Sequence, residues 1–285
     1  MSRASQKTAF VFAGGGSLGA VQVGMLRELL RAGVKADFVV GSSVGAMNAA
    51  YFAGAPDAAG IDKLERIWRG LRRRDIFPVT LRSMFGFVRG ADNLIDPSNL
   101  RSLIEHHIPF ATLEDAPIPV HVVATDFGGA SVCLSSGPAV EAILASAAIP
   151  AAFPSVRVGG HDLIDGAVGG NTPILTAADL GATRIIALPT GFACAMHERP
   201  MGAIARALHA ITLLIAHQMV RDLRECVGKV DVFTVPNLCP LDASPYDFSR
   251  AGQLIEQAAE RTAKWIGGGG LSRPEIPGSL LPHSH

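Results

Sequence analysis

An α/β fold built on a mainly parallel sheet is what this sequence predicts, and three observations carry the prediction. Apolar residues make up 48% and charged residues 18% of the 285, the balance expected of a sheet buried on both faces. The chain opens as strand, glycine loop, helix and strand: an apolar run at 8–13, Gly14-Gly15-Gly16-Ser17-Leu18-Gly19, a helix over 20–32 closed by Gly33, and a second apolar run at 38–40. Parallel sheets grow from units of this kind. The third observation is Gly41-Ser42-Ser43-Val44-Gly45, a sharp passage from that second strand into a helix over 46–52.

The elements that follow fit the same plan. Residues 57–71 form an amphipathic helix, with Ile61, Leu64, Ile67, Trp68 and Leu71 at helical spacing. It runs into Arg72-Arg73-Arg74, a solvated end that offsets the helix dipole. The apolar stretch 76–88 is broken by Pro78 and Gly86. It reads as a packed connector, or as a flap over the site that, with the arginines, makes peripheral contact with a membrane surface. Asp96-Pro97-Ser98 opens a helix to about 107 with Ser98 as its N-cap. A strand at 120–126 pairs with 130–134, and a small-residue helix at 140–148 is stopped by Pro150. Strands at 156–158 and 162–164 flank Gly159-Gly160 and deliver the chain to Asp165-Gly166-Ala167. A helix (173–180), a strand (184–188), a long helix (201–226), a strand (231–235) and a last helix (249–266) complete one domain over 1–266. The Gly/Pro-rich tail, 267–285, is expected to be mobile.

Composition excludes several function classes. Lys+Arg and Asp+Glu both total 25, so no excess charge recruits nucleic acid. Cys133, Cys194, Cys226 and Cys239 are scattered without metal-ligand spacing, which predicts free thiols in a reducing compartment. Residues 1–7 are polar and lead straight into a strand, with no secretory segment. The most apolar helical stretch, 203–220, is interrupted by Arg206, His209, His217 and Gln218, as in a core helix rather than a membrane span. A cytoplasmic protein is the expectation, in contact with a membrane at most peripherally.

The chemistry centres on Ser43. A serine on a strand-to-helix elbow is pushed clear of the backbone, Gly41 and Gly45 let neighbouring chain pass close, and the following helix turns its N–H groups toward developing negative charge. Gly14-x-Gly16-x-x-Gly19 also matches the dinucleotide-binding fingerprint. That use needs an acid at the end of the second strand, where this chain has Gly41-Ser42-Ser43, with Asp37 at the strand's start. The alternative use of three glycines is an oxyanion hole, with the Gly15 and Gly16 N–H groups converging above Ser43. A serine needs a base. The order Ser43, Asp165, then His197 or His209 fits a histidine triad. Against it, only two strands precede Ser43, and His209 and His217 sit in the long apolar helix. Asp165 ends an apolar strand, and partial desolvation there makes its carboxylate a stronger base.

In this order, the glycine loop, the Gly41–Gly45 elbow and Asp165-Gly166-Ala167 resemble the bacterial patatin-like phospholipases. Ala145-Ser-Ala-Ala-Ile-Pro-Ala-Ala-Phe-Pro154 resembles that family's segment before the aspartate, and Asn171-Thr172-Pro173 its segment after it; the likeness runs over 8–186. The resemblance implies a three-layer α/β sandwich with a mainly parallel central sheet, of the kind shared with acyl-carrier transacylases and lysophospholipases. It implies a Ser43–Asp165 dyad without histidine and an oxyanion hole in the Gly14–Gly16 loop, which the Val44 N–H would join. The implied reaction is hydrolysis of a lipid or other acyl ester through an acyl-enzyme, with no metal and no cofactor. Two departures stand out. Leu18 replaces the Arg or Lys of many members, which bears on recognition of a phospholipid head group, and Asp-Gly-Ala replaces Asp-Gly-Gly. Two rivals share the fold. An acyltransferase or thioesterase would depend on a histidine beside the serine, where this chain has Ser42. A non-catalytic lipid-binding regulator would have no use for the intact Ser43, Asp165 and triple glycine.

Overall fold

A computed structural model describes residues 6–77, 95–191, 203–239, 241, 243–274 and 276–280. Its frame is a sheet in the order β5-β6-β3-β2-β1-β7-β8 with β4 on the free side of β3. The strands are β1 (Thr8–Phe12), β2 (Phe38–Ser42), β3 (Val120–Asp126), β4 (Ser131–Leu134), β5 (Val156–Val158), β6 (His161–Ile164), β7 (Arg184–Leu188) and β8 (Asp231–Thr234). The run β3-β2-β1-β7-β8 is parallel, while β4, β5 and β6 pair antiparallel.

Alternation along the strands sorts the core into two faces. Phe10, Phe12, Val39, Val122, Ile186 and Leu188 pack beneath α1 (Ala20–Arg31), α2 (Val44–Gly54) and α3 (Ala58–Gly70). The last helix on this face is α10 (Ala251–Gly267). Ala9, Val11, Val40, Val123, Ile185 and Ala187 face the other way, onto α8 (Ile174–Asp179) and α9 (Ala203–Cys226). Helices therefore cover both faces, and the three-layer sandwich is observed. Between them in the chain lie α4 (Arg73–Ile76), α5 (Ser98–His107), α6 (Ala139–Ser146) and the single turn α7 (Ala167–Gly170). Among the described residues, no helix is long and apolar enough to cross a membrane.

One detail of the register positions the site. Ser42, the last residue of β2, is opposite Val123, while β3 pairs antiparallel with β6 through Thr125↔Ile164. Thr125 also pairs with Ser131 of β4, and β4 overlaps the β2 pairing at Val122 and Val123. So β4 occupies one edge of β3, and β2 and β6 share the other, running toward each other end to end. The residues that leave the two strands at that junction are Ser43 and Asp165.

Several expectations need correction or refinement. Arg72 is exposed at the end of α3, as predicted. Its guanidinium donates to the carbonyls of Arg69, Gly70 and Leu71 at 3.0, 3.2 and 3.0 Å, capping α3 as a cation at a helix C-terminus should. The cap of α5 falls before Ser98, since Asp96 accepts the Ser98 N–H at 2.8 Å. The tail after 266 is docked over its described part: Leu280 is buried against the α9 face, and Leu271 and Ile276 pack on the core. A proline-rich composition hid three apolar side chains with somewhere to go. Cys133 and Cys226 are free thiols, but Cys239 is disulfide-bonded, because sequence spacing is silent on which loops meet in space. Ile76 and Phe77 of the expected flap are buried, and residues 78–94 lie outside the described part.

Candidate active site

Ser43 is the N-cap of α2 and holds φ 55°, ψ −129°, a conformation that non-glycine residues rarely adopt. Such strain costs on the order of 1–3 kcal/mol and persists only when the surroundings enforce it. Here they do. A Cβ on Gly41 would strike the backbone of Gly45 and Ala46, and one on Gly45 would strike the carbonyls of Phe12 and Ala13. Gly41 is thus fixed by the close return of α2 over the end of β2, and Gly45 by packing of α2 on β1. The Ser43 N–H donates to Ser146 Oγ at 2.8 Å, and that hydroxyl donates to the Val123 carbonyl at 2.5 Å. Ser146, at the end of α6 and fully buried, ties the strained residue to the sheet.

Across the strand junction, Ser43 Oγ donates to Asp165 Oδ2 at 2.7 Å. The second carboxylate oxygen, Oδ1, accepts the Ala167 N–H at 2.8 Å. Asp165 is only 3% exposed, and burial pushes its carboxyl up from 3.8 to about 6, against the opposing pull of the Ser43 and Ala167 hydrogen bonds. The backbone is held as firmly as the side chain. Thr125 Oγ1 donates to the Asp165 carbonyl at 2.8 Å, and the Asp165 N–H donates to the Ala148 carbonyl at 3.0 Å. Gly166 has no room for a side chain, because a Cβ would overlap the Val123 carbonyl and approach Ser42 Oγ to 2.6 Å.

The glycine loop lies against the same serine: a Cβ on Gly14 would sit 3.1 Å from Ser43 Cβ. Gly14 donates its N–H to the Asn171 carbonyl at 3.0 Å and accepts from Thr190 Oγ1 at 2.5 Å. Its amide is therefore engaged, which removes Gly14 from the donors open to a substrate oxygen. In a trans peptide the N–H points opposite to the carbonyl, so anchoring Gly14 C=O on Thr190 turns the Gly15 N–H away from Thr190. Gly15 (φ 156°) and Gly16 (φ 57°) both occupy positive-φ backbone that favours glycine, walled by Thr190 and the Pro245 carbonyl. Behind the loop, Gln22 donates to the carbonyls of Ala13 and Leu188, both at 2.9 Å. Asn48 donates to Gln22 at 2.7 Å and accepts from Trp68 Nε1 at 3.0 Å. These buried polar groups are fully committed to holding the loop.

Ser43, Asp165, Gly14, Gly15, Gly16, Val44, Gly41 and Gly45 thus gather at one end of the sheet. His197 lies outside the described residues, as does the side chain of His209, and both Asp165 oxygens are already partnered. Leu18 is buried and belongs to the hydrophobic core. The sequence reading missed Ser146, Thr125, Thr190 and Gln22. The one visible signal for them was a polar residue inside a run of apolar ones, as Gln22 is between Ala20-Val21 and Val23-Gly24 and Ser146 is between Leu144-Ala145 and Ala147-Ala148.

A family model described as patatin-like phospholipase matches residues 10–178. Patatin-like phospholipase domain-containing protein 7 of Rattus norvegicus is 25% identical over 186 residues, covering 64% of this chain and 13% of that protein. An uncharacterized NTE family protein of Mycobacterium bovis is 28% identical over 186 residues, covering 65% and 49%. The chain therefore matches about half or less of the length of these relatives. Among solved structures, human GIVD cytosolic phospholipase A2 in complex with methyl γ-linolenyl fluorophosphonate aligns with a TM-score of 0.52 at 10% identity, over 96% of this chain and 58% of that one. Full-length ExoU with SpcU from Pseudomonas aeruginosa aligns with a TM-score of 0.50 at 16% identity, over 95% and 54%. These two establish likeness of fold. With a single family model spanning more than half its length, the chain belongs to the patatin-like phospholipase family.

Proposed function

We propose that this protein is a serine hydrolase of lipid acyl esters that works through a Ser43–Asp165 dyad. The observation that carries the proposal is the 2.7 Å hydrogen bond from Ser43 Oγ to a buried carboxylate whose affinity for protons is raised to about 6. Asp165 takes the hydroxyl proton as Ser43 Oγ attacks the ester carbonyl, and the Gly15, Gly16 and Val44 N–H groups receive the oxyanion. Collapse of the tetrahedral intermediate expels the alcohol, protonated by Asp165, and leaves an acyl-serine. Water, deprotonated by the same carboxylate, then releases the fatty acid and restores the serine. A placed base contributes roughly 10²–10⁴ to such a rate, and each oxyanion donor roughly 10²–10³.

The family supports a lipid substrate, and long-chain acyl esters exist as aggregates, which supports action at a lipid surface. A fluorophosphonate probe tests the nucleophile. It should label the wild-type chain and leave Ser43→Ala unlabelled; equal labelling of the two would remove Ser43 from the role. A lipid panel analysed by mass spectrometry with wild type and Ser43→Ala then identifies the ester hydrolysed.

A further inference from the structure

Among the described residues, four of the large apolar side chains left in solvent lie on segments at the site end of the molecule. Leu214 is 67% exposed, Ile211 52%, Val168 53% and Phe127 72%. Hydrogen bonds tie the segments that carry them to one another. Phe127 follows β3 by one residue. Thr125 near the end of that strand accepts the Gly169 N–H at 3.0 Å, beside Val168 in α7. Gln218 of α9 donates to the Gly169 carbonyl at 2.7 Å and accepts the Asn171 N–H at 3.3 Å. Ile211, Leu214 and Gln218 share a helix face by their spacing of three and four residues. α9 returns from the site end of β7 to the start of β8, so the turns before Gln218 stand beyond the sheet edge, reaching Ile211 about 10 Å above Gln218.

We propose that Ile211, Leu214, Val168 and Phe127 form the face by which this protein sits on a zwitterionic lipid surface. The proposal rests on the lipid acyl hydrolase reading of the adjoining site. Two arguments choose this occupant. The face is continuous, through Val168 and α7, with the loop that holds Asp165, so whatever it enters is also the phase that supplies the substrate. The chain carries equal numbers of acidic and basic residues, so no net charge draws it to anionic lipid, and apolar insertion is what this face offers. Large apolar side chains exposed together at one end of a chain mark an interaction site.

Cosedimentation of the full chain with phosphatidylcholine vesicles tests it. The double variant Ile211→Glu/Leu214→Glu and, on a separate element, Phe127→Glu should each lower vesicle partitioning about tenfold or more. Val227→Glu is the control. Val227 is 71% exposed at the opposite end of α9, and its substitution should leave partitioning unchanged. All three should melt with the wild type and hydrolyse a soluble short-chain ester at its rate. A wild type that stays in the supernatant, or face variants that pellet like wild type, overturns the proposal. A wild-type dimer that the double variant splits, with vesicle binding untouched, makes the face a contact between copies and overturns it too. Vesicle binding lost in the face variants, with no ester hydrolysed even by wild type, supports the face and defeats the hydrolase reading alone.

Discussion

With its carboxyl raised from 3.8 to about 6, Asp165 keeps a proton in the folded protein over a pH range in which the unfolded chain has already released it. The sign of the linkage follows directly. Between about pH 4 and 6 the native state binds more protons than the unfolded state, so stability falls as pH rises through that window and the whole deficit is present at pH 7. The gap corresponds to roughly 3 kcal/mol at most. Asp165→Asn keeps the shape and removes the buried charge. It should stabilise the protein at pH 7 by up to about 3 kcal/mol, give no gain below pH 4, and lower kcat by roughly 10²–10⁴. Urea unfolding at both pH values with an ester assay checks this, and equal stability of the two proteins at pH 7 contradicts it. For the wild type, kcat/KM should rise with pH and reach half its plateau near the Asp165 value of about 6. The group that does the chemistry is thus one that the fold would be more stable without.

Elements meet in this molecule where small residues let backbones touch, and α1 against α10 is the clearest case. A Cβ on Gly24 would lie 2.8 Å from the Ala259 N and 3.1 Å from the Ile255 carbonyl carbon. Alanine is the better helix former by about 1 kcal/mol. Backbone atoms cannot swing aside as a side chain can, so Gly24→Ala should still destabilise by about 1–3 kcal/mol net, read as a lower midpoint in urea with an unchanged slope. A stabilised variant would mean that the two helices part easily. Element identity was largely legible from local pattern. The strands Val120–Asp126 and Arg184–Leu188 fall where their apolar runs end, and α1 stops where Gly33 permits φ 73°. What joins the elements was not legible. The end-to-end meeting of β2 and β6 on one edge of β3 arises from pairings such as Ser42↔Val123 and Thr125↔Ile164, which are far apart in sequence, so local pattern could name Ser43 and Asp165 while only the family resemblance joined them in a dyad. Nor was the role of Ser146 legible, since its hydroxyl serves a residue 103 positions away.

At the scale of the whole molecule, the two faces of the sheet are closed by different parts of the chain. α1, α2, α3 and α10 cover one, and α8 and α9 the other, where Leu280 from the end of the chain joins Met219, Val220 and Leu223. Composition pointed the other way for this last segment: Gly267-Gly268-Gly269-Gly270 and the prolines beyond it carry no helical or strand period, and a period is what local pattern detects. Docking of an irregular segment depends on a few side chains and the surface that receives them. Leu280 is 7% exposed, and Leu271 and Ile276 are partly buried on the core. Burial of a leucine or isoleucine contributes about 1.5–3 kcal/mol when complete, so a chain ending at Gly267 should lose about 2–5 kcal/mol of stability. The point variant Leu280→Ser in the full chain should lose part of the same amount, which separates side-chain burial from any effect of chain length. Urea unfolding of the three proteins side by side decides the matter. If the shortened chain unfolds at the wild-type midpoint, the segment contributes nothing to the α9 face, and the domain ends with α10.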